Sequence, residues 1–568
     1  MAAKFFLCLA IGVQLVPTSA QAQDALAGHI VKETFAPKPQ QTARAMLDLG
    51  NFAGAKVPAG ADRVVLDISG IRFEGDPCPL PEAADRLKKA LSIKSLTVAV
   101  LYARVHEMEE ELARAGYVLS RVTVPPQRVA PGSAVTIRIR NGHIEKIDVA
   151  ALPEAIREPV KTRLAKLLEQ PLLRRADIER ALLVAGDFGG LTLRSTFAPG
   201  DEPGGTKLIL DGSFKRISGS TGIDNIASDS VGRWESASSL SINSPFGAGE
   251  QFYVSHQGDL HSIFDPNARM RILAGGALVP IGRDGLTISP ELVWARIQPD
   301  AQIGVPNSLN EMARASLRVN YPMVRQVDRT MVLYSAVEAI NQRVKAIDFG
   351  TTLSSDSYMV LRSGLDLQAL NSPGLTMFGS LKLSQGLGGI GSVFDGVTGA
   401  PSTHVGATPY FSKLNLSGGA TALIGPLTAS VFLRGQTSFG RPLFNSEQLS
   451  LDGGDALSSL SPGAYAVDEG ATLRAELGHS VPFTSVISGI ASPFVFGAFG
   501  AGQTHNTTAL ESAMTRAAGI GAGMRMKLWN GGDQTHDLGL SFEVGHGWID
   551  ATTRAQVSRA NVTLGWSF

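Results

Sequence analysis

The sequence predicts a transmembrane antiparallel β-barrel of about 16 strands, preceded by two small α+β domains. Alternating apolar and polar residues recur from Phe214 to Phe568, and turn-forming sequences separate the runs. Upstream, one order of strands and helices occurs twice between residues 63 and 213. Alternation with outward aromatic residues is typical of strands that have lipid on one face and water on the other. Such a sheet must close on itself, because an open edge would leave backbone groups unpaired in lipid.

The last strand shows the alternation most clearly. Residues 560–568 place apolar side chains on one face, ending with Trp566 and Phe568, and small or polar side chains on the other. The alternation recurs in Leu286–Trp294, Ala315–Tyr321 and Leu375–Leu383, and turn sequences lie at 282–285, 371–374 and 529–533. At roughly 20 to 22 residues for each strand and its connection, the segment has room for about 16 strands.

Composition excludes several classes of protein. Charged residues make up 18% of the chain, below the ~25% that is usual in soluble domains. The net charge of +0 predicts no nucleic-acid partner, because such binding depends on neutralising phosphates. Beyond the amino terminus no run of ~20 apolar residues occurs, so a helical membrane protein is not expected. Once a leader containing Cys8 is removed, Cys78 is the single cysteine, and it is predicted to be a loop residue without a disulfide.

Residues 1–22 are predicted to be a secretory signal peptide. A basic residue precedes the apolar run Phe5 to Val16, and the small-residue end Ala20-Gln21-Ala22 resembles a cleavage site. Residues 23–62 are rich in Ala, Gly and Pro, with a candidate short helix near Gln40 to Leu49. A linker is the default interpretation of this composition. The functional alternative is a plug helix with its tether.

Two copies of a β-α-α-β-β unit are predicted, at residues 63–142 and 143–213. The first consists of the strand Val64–Ile68, a helix with Leu87 and Leu91, the helix Thr97–Arg114 that Gly116 ends, and strands Val118–Val124 and Val135–Arg140. The second consists of the strand Ile144–Val149, helices Glu154–Leu168 and Arg175–Ala185, and strands Leu191–Thr196 and Lys207–Leu210. The acidic residues Glu107, Glu109, Glu110 and Glu111 are predicted to form a solvated helix face.

Short motifs follow one another in a fixed order along the mature chain. Gly116-Tyr117-Val118 precedes Val124-Pro125-Pro126-Gln127, Arg180 lies in the helix segment 178–183, and Asn243 to Glu250 opens the barrel. Residues 447–449, 453–454, 469–470 and 474–477 complete the series. In this order the motifs resemble "GYv…vPpQ", "leR.lll", "NPlG.GD" and "EqfslGG…GdrG…r.EL" of the outer-membrane transporters of two-partner secretion, the TpsB family of ShlB/FhaC/HecB type. The α+β units would then be POTRA domains.

The resemblance implies an outer-membrane translocator. It would accept a large β-helical, TpsA-like exoprotein at periplasmic POTRA domains and pass it through the barrel without ATP, and exposed strand edges could bind that chain by β-augmentation. Further expected partners are outer-membrane lipid and the machinery that assembles the barrel, and no cofactor is expected. The implied recognition residues are Tyr117, Val124, Pro125, Pro126, Gln127 and Arg180, and the implied assembly signal is Trp566 with Phe568. Alternatives are a factor that inserts membrane proteins and a passive porin, although a porin has no need of POTRA units.

The chain departs from this family at the loop that folds into the barrel. The resemblance places that loop among Gly453, Gly454, Tyr465, Glu469 and Gly470. The family carries a "VRG[FY]" motif there, but residues 455–465 contain no arginine. The usual partner, an aspartate in an "F-x-D-x-G" strand, is also missing, since this chain has Phe496, Ala498 and Gly500. Losing both partners of a buried pair is far less costly than losing one. Arg434, in Phe432–Gln436, is a weak candidate for a relocated arginine and is predicted to lie in a barrel strand.

No enzymatic or metal site is predicted. The histidines, among them His143, His256, His404, His505, His536 and His546, lack the spacing of a zinc helix. Gly386 to Gly391 satisfies G-x-G-x-x-G, but no helix follows it, so a glycine-rich barrel loop is expected instead of a phosphate site.

Overall fold

Two sheets with packed helices precede a closed barrel. The computed structural model describes residues 30–37, 57–92, 95–262, 264–265, 267–301, 306–372, 374–389, 400–484, 488–509, 511–530 and 533–568. The predicted signal peptide and the candidate helix at 40–49 lie outside these residues. Within the described residues, no helix is both long enough and apolar enough to span a membrane.

The first α+β domain has a four-stranded sheet in the order β2-β1-β4-β3. Its elements are β1 Val65–Gly75, α1 Pro81–Ala90, β2 Ser95–Thr97, α2 Val98–Arg114, β3 Arg121–Thr123 and β4 Ser133–Arg140. The Thr97 hydroxyl caps α2 by accepting from the Val100 amide at 3.3 Å. Gly116, at φ 98°, ends the helix in the left-handed conformation. The turn after Gly116 shortens β3 relative to the predicted strand 118–124, and β2 was not predicted.

The prediction that all four acidic residues of α2 are solvated is wrong at Glu109. This residue is 8% exposed and lies 3.7 Å from Arg121 of β3. The buried stripe of the helix consists of Leu101, Val105, Met108 and Leu112, at the spacing of one helix face. Glu109 directly follows Met108, so the helix turn places it beside the buried stripe and under the sheet edge.

The second α+β domain repeats the arrangement with the strand order β5-β7-β6. Its elements are β5 His143–Asp148, α3 Glu154–Leu164, a 3-10 turn Ala165–Leu168, α4 Arg175–Gly186, β6 Leu191–Pro199 and β7 Gly205–Phe214. The predicted helix 154–168 therefore tightens to 3-10 geometry over its last turn. Leu164, Ile178 and Leu208 are fully buried in the core between helices and sheet.

The barrel closes with 16 antiparallel strands, which confirms the predicted fold class. The strands are β8 Ile217–Asp224, β9 Glu235–Asn243, β10 Gln251–Asp259, β11 Met270–Ile281, β12 Leu286–Ile297, β13 Ser308–Arg325, β14 Arg329–Ala346, β15 Thr351–Ser372, β16 Leu375–Gly389, β17 Ser412–Ile424, β18 Leu427–Thr437, β21 Glu469–His479 with its continuation β22 Val481–Phe483, β23 Ser488–Gln503, β24 Met514–Asn530, β25 Asp533–Asp550 and β26 Arg554–Ser567. Between β18 and β21, β19 Leu449–Ser450 pairs with β20 Ala466–Val467. The seam is formed by β26 and β8, where Thr563–Ser567 pairs with Ser220–Asp224.

The glycine-rich run predicted to be a loop is partly strand. Gly386 to Gly389 belong to β16, and Gly386 would place a Cβ 2.2 Å from the Pro409 carbonyl oxygen. A glycine is needed at that position because the segment before β17 crosses directly over it.

Candidate functional site: the barrel lumen

The lumen has a charged wall because strand alternation directs polar side chains inward. In β12, Leu292 is 67% exposed on the outer face, whereas Glu291 is 4% exposed inside. Glu291 lies 3.2 Å from Arg314 of β13 and accepts a hydrogen bond from the Tyr253 hydroxyl at 2.7 Å. Buried charges require such partners, so the wall contains ready-made donors and acceptors for chain segments that enter it.

Residues 30–37 are a first segment that occupies the lumen. Glu33 lies 2.9 Å from Arg318 and 2.5 Å from Lys382 of the wall. The Phe35 amide donates to Glu291 at 2.7 Å. The apolar side chains of the segment pack against a buried cluster of the barrel: Ile30, Val31 and Phe35. This part of the predicted linker or plug therefore lies inside the barrel.

A buried charge cluster lies just before the second lumenal segment. Glu447, two residues before β19, lies 2.7 Å from Arg362 of β15 and 2.8 Å from Lys413 of β17. Arg362 also lies 2.9 Å from Glu338, and the Tyr358 hydroxyl donates to Glu447 at 2.7 Å. All five side chains are at most 6% exposed. Glu447 is part of the motif at residues 447–449, but the motif gave it no role. Glu338 and Arg362 could have been assigned to the lumen from the alternation of inward and outward side chains along their strands.

Residues 451–465 form the second segment, which we call the inward loop. Its base is closed by the Leu451 amide, which donates to the Tyr465 carbonyl at 2.9 Å. Gly453, at φ 120°, makes the turn after the base, and Gly454 follows it. The loop buries three leucines against small and apolar wall residues: Leu451, Leu457 and Leu460 against Ala498, Ala517 and Ile549.

The five residues predicted for the inward loop are therefore divided between the loop and the wall. Glu469 and Gly470 begin β21 instead. Glu469 accepts hydrogen bonds from the Ser438 and Gly440 amides at 3.0 and 2.6 Å. A Cβ at Gly470 would lie 2.5 Å from the Ala501 carbonyl oxygen. Both residues thus lie at the start of β21, where the chain leaves the inward loop and rejoins the barrel wall.

The strand that stands in place of the family's "F-x-D-x-G" strand lies directly beneath the inward loop. Phe496, Ala498 and Gly500 all face the lumen from β23. A Cβ at Gly500 would lie 2.7 Å from Leu457 Cδ1. The three residues therefore provide the close-packed floor on which the loop rests.

The predicted recognition residues of the first α+β domain have structural partners. The Tyr117 hydroxyl accepts from Arg174 at 3.2 Å, at the junction of the two α+β domains. The Gln127 amide pairs with the backbone N and O of Thr136, both at 2.8 Å, and so continues the sheet beside β4. Between them run Val124, which packs on the core, and Pro125 and Pro126. Pro126 and Gln127 are exposed.

Arg180 lies apart from these residues, on the opposite side of the second α+β domain. Its guanidinium donates to the Pro322 carbonyl at 2.7 Å and to the Met323 and Asp284 carbonyls at 3.3 Å. The Asp284 carbonyl belongs to the β11–β12 turn and the other two belong to the end of β13, at the end of the barrel that faces the α+β domains. A second contact at this junction joins Arg325 to Asp187 at 2.5 Å. The structure therefore does not bring Arg180 together with Tyr117.

Trp566 and Phe568 lie at the seam of the barrel. Trp566 is 42% exposed on the outer face, and its ring centroid lies 4.9 Å from that of Phe568. The Phe568 amide and carbonyl pair with those of Gly219 at 3.0 and 3.2 Å. The chain end is thus part of the closing strand pair.

A buried histidine that links three strand connections, at the end of the barrel away from the α+β domains, was not predicted from the sequence. His404, 2% exposed, lies 3.7 Å from Asp468 and 3.5 Å from Glu511. It joins the connections β16–β17, β18–β21 and β23–β24. Its acidic partners are distant in sequence, so no local signal marks them. Among the residues that the structure describes, no group of His, Cys, Asp and Glu is arranged to hold a metal ion.

Comparison with known families identifies the architecture. Residues 204–526, more than half of the chain, match the family described as haemolysin secretion/activation protein ShlB/FhaC/HecB. The chain belongs to this family. Residues 66–142 match the POTRA domain of ShlB type. This ShlB-type protein is thus an outer-membrane β-barrel with its POTRA domains in the periplasm, so the barrel turns that contact the second α+β domain lie at the periplasmic end.

Individual relatives of the ShlB-type protein include outer-membrane transporters. The outer membrane transporter CdiB of Escherichia coli is 26% identical over 227 residues, which span 39% of this chain and 37% of that transporter. The solved structure of CdiB from Escherichia coli aligns with a TM-score of 0.68 at 19% identity, covering 93% of this chain and 94% of CdiB. CdiB from Acinetobacter baumannii aligns with a TM-score of 0.59 at 13% identity, covering 89% and 90%. These structures share the fold of this chain.

Proposed function

We propose that this protein is a two-partner-secretion translocator that moves a large β-helical, TpsA-like exoprotein from the periplasm through its barrel. The observation that carries the proposal is that two segments of the chain itself, residues 30–37 and the inward loop, fill a 16-stranded barrel. A barrel of that size is wide enough for an aqueous channel. The two segments are held in the lumen by hydrogen bonds and ion pairs, so they can leave it without disrupting the strands of the barrel.

Membership in the haemolysin secretion/activation family supports this proposal over a membrane-protein insertion factor. We assign residues 63–142 and 143–213 to two POTRA domains and 214–568 to the barrel. The nine-residue strand β6 is an edge strand of the second domain, and such edges can accept an extended chain. Recognition by Tyr117, Val124, Pro125, Pro126 and Gln127 remains part of the proposal, as do contact with outer-membrane lipid and assembly through Trp566 and Phe568.

Secretion is the direct test. The chain is coexpressed with a candidate TpsA-like exoprotein from the same organism, with and without residues 64–142, and exoprotein is assayed in the medium. We expect export only with the full chain. A heat-modifiable band on electrophoresis controls for barrel folding in both cases. Exoprotein that stays periplasmic despite a folded full-length barrel would contradict the proposal.

A further inference from the structure

The inward loop has no positively charged side chain. Residues 451–465 contain two charged residues, Asp452 and Asp455. The loop therefore offers the wall carboxylates, backbone carbonyls and hydroxyl groups. Its anchors must come from donors on the wall.

Three wall arginines supply these donors, one each from β18, β21 and β26. Arg434 donates to the Ser450 carbonyl at 3.4 Å, contacts the Asp452 carbonyl and lies 3.5 Å from Asp455. Arg559 donates to the Leu460 carbonyl at 3.3 Å. Guanidinium groups of the wall thus hold the first residues of the loop and Leu460.

Arg474 holds the middle of the loop. Its Nη1 donates to the Ser458 hydroxyl oxygen at 2.7 Å and to the Ala456 carbonyl at 3.4 Å. The Ser458 hydroxyl in turn donates to Glu543, and Asn561 donates to the Ser458 carbonyl at 2.8 Å. Hydrogen bonds to charged groups are the stronger ones in a buried site, so Ser458 is held firmly by Arg474 and Glu543.

The site on which Ser458 docks is complete without the loop. Arg474 lies 2.8 Å from both Glu476 and Glu543, and its guanidinium carbon is 3.7 Å from the centroid of the Phe496 ring. Arg474 pairs across the sheet with Ala498. When the loop leaves, Arg474 keeps two carboxylate partners. Departure therefore does not leave an unpaired buried charge, which would be the main cost of separating an ion pair.

We propose that Arg434, Arg474 and Arg559 retain the inward loop in the lumen, and that Ser458 on the Arg474–Glu543 pair is its release point. These are positioning residues for a loop that itself carries acceptors. This inference rests on the proposed function in one respect: loop release matters for export because the loop must leave before an exoprotein can pass. The retention itself is a property of the isolated protein.

Single-channel recording in planar lipid bilayers tests the release point, using the purified full-length protein without exoprotein. For Ser458→Ala we expect the fraction of time in the open state to rise about tenfold, equivalent to ~1.4 kcal/mol. Ser458→Thr, which keeps a hydroxyl, should stay near wild type. Ser461→Ala is the matched control, because Ser461 lies on the same loop but contacts Ser228 at 3.3 Å instead of Arg474. Unchanged opening of a folded Ser458→Ala barrel would overturn the proposal.

A reversible tether shows whether the openings arise from the loop. A Cβ at Gly547 would lie 3.4 Å from Ser459 Cβ, close to the ~3.8 Å of disulfides. The pair Ser459→Cys and Gly547→Cys is added to Ser458→Ala in a Cys78→Ser background. Oxidation should abolish the added openings and reduction should restore them. Openings that persist in the oxidised protein would contradict loop release.

The two proposals fail separately. Increased opening of Ser458→Ala, in a protein whose wild type exports no exoprotein, would leave the retention by arginines standing and remove the proposed function. Normal export by the wild type together with unchanged opening of Ser458→Ala would support the proposed function and overturn the retention by arginines.

Discussion

The Glu447 carboxylate lies 2.7 Å from the Arg362 guanidinium, and both side chains are buried in the barrel. Lys413 lies 2.8 Å from the same carboxylate. Glu447 thus fixes the first residues of the segment that leads to the inward loop against two strands, β15 and β17. Removing one member of a buried charge cluster leaves the others without compensation, so the cluster is a sensitive point of the fold.

Glu447→Gln is expected to destabilise the folded barrel by ~3–5 kcal/mol, because Arg362 and Lys413 lose their shared carboxylate. The urea midpoint for loss of the heat-modifiable band measures the change. Glu311→Gln is the matched control, since the Glu311–Lys345 pair at 2.6 Å is 34% and 40% exposed. Its loss should cost ~0–1 kcal/mol. Equal midpoints for the two variants would rule out a special role for the cluster.

Glu33→Gln is expected to loosen residues 30–37, because Arg318 and Lys382 lose the carboxylate that both contact. A cysteine introduced at Ala36 in a Cys78→Ser background reports on this segment. Its reaction with a maleimide should accelerate about tenfold, equivalent to ~1.4 kcal/mol. Lys32→Gln removes an exposed charge from the same segment and should leave the rate unchanged. Equal acceleration by both variants would show that Glu33 is not the anchor.

Arg180→Ala is expected to weaken the contact of the second α+β domain with the barrel. Three backbone carbonyls lose a charged donor, and such hydrogen bonds contribute ~1.5–3 kcal/mol. Hydrogen exchange of the β13–β14 turn should therefore accelerate. Arg104→Ala removes an exposed arginine of the first α+β domain that pairs with Glu107, and it should not change the exchange. If the turn stays protected from exchange in Arg180→Ala, the Arg325–Asp187 ion pair is sufficient to hold the domain on the barrel and the prediction is wrong.

Glu109 should make the first POTRA domain less stable at neutral than at acidic pH. Burial raises the pKa of its carboxyl group above the usual value, although Arg121 opposes the shift. A raised folded-state pKa means that the folded state binds the proton more tightly than the unfolded chain does. Stability from this group is therefore present below the unfolded pKa and is lost as pH rises through the folded pKa. Hydrogen exchange of α2 against pH should show this loss in the wild type and not in Glu109→Gln.

The barrel was predictable because lipid imposes a period of two on every strand. Leu292 and Glu291 differ in exposure as that period requires. Because a sheet in lipid cannot leave an edge unpaired, such a strand series must close into a barrel. The α+β domains were predictable from helical stripes such as Leu101 to Leu112. Their local details were not: Glu109 lies beside its stripe, and the shortened β3 follows from one left-handed glycine.

The lumen was less predictable, because its contacts join residues far apart in the chain. Ser458 meets Glu543, and Glu33 meets Lys382, although no local pattern links either pair. Arg180 was singled out as part of a motif resemblance. Its partners are backbone carbonyls of the β11–β12 turn and of the end of β13, and backbone groups have no signature in side-chain identity. The missing arginine in the inward loop was visible in the sequence, and Arg434 was named as a candidate replacement for it. The contacts of Arg474 and Arg559 with the loop became apparent only in three dimensions.

The charges of the inward loop also determine what an emptied pore would conduct. Asp452 and Asp455 leave with the loop, and no cation leaves with them. Arg434 and Arg559 remain on the wall, the latter held by neutral carbonyls of Asn225 and Ala227. Rings and stripes of arginine favour anions over cations in water-filled pores. Each opening would therefore shift the ionic permselectivity of the outer membrane toward anions.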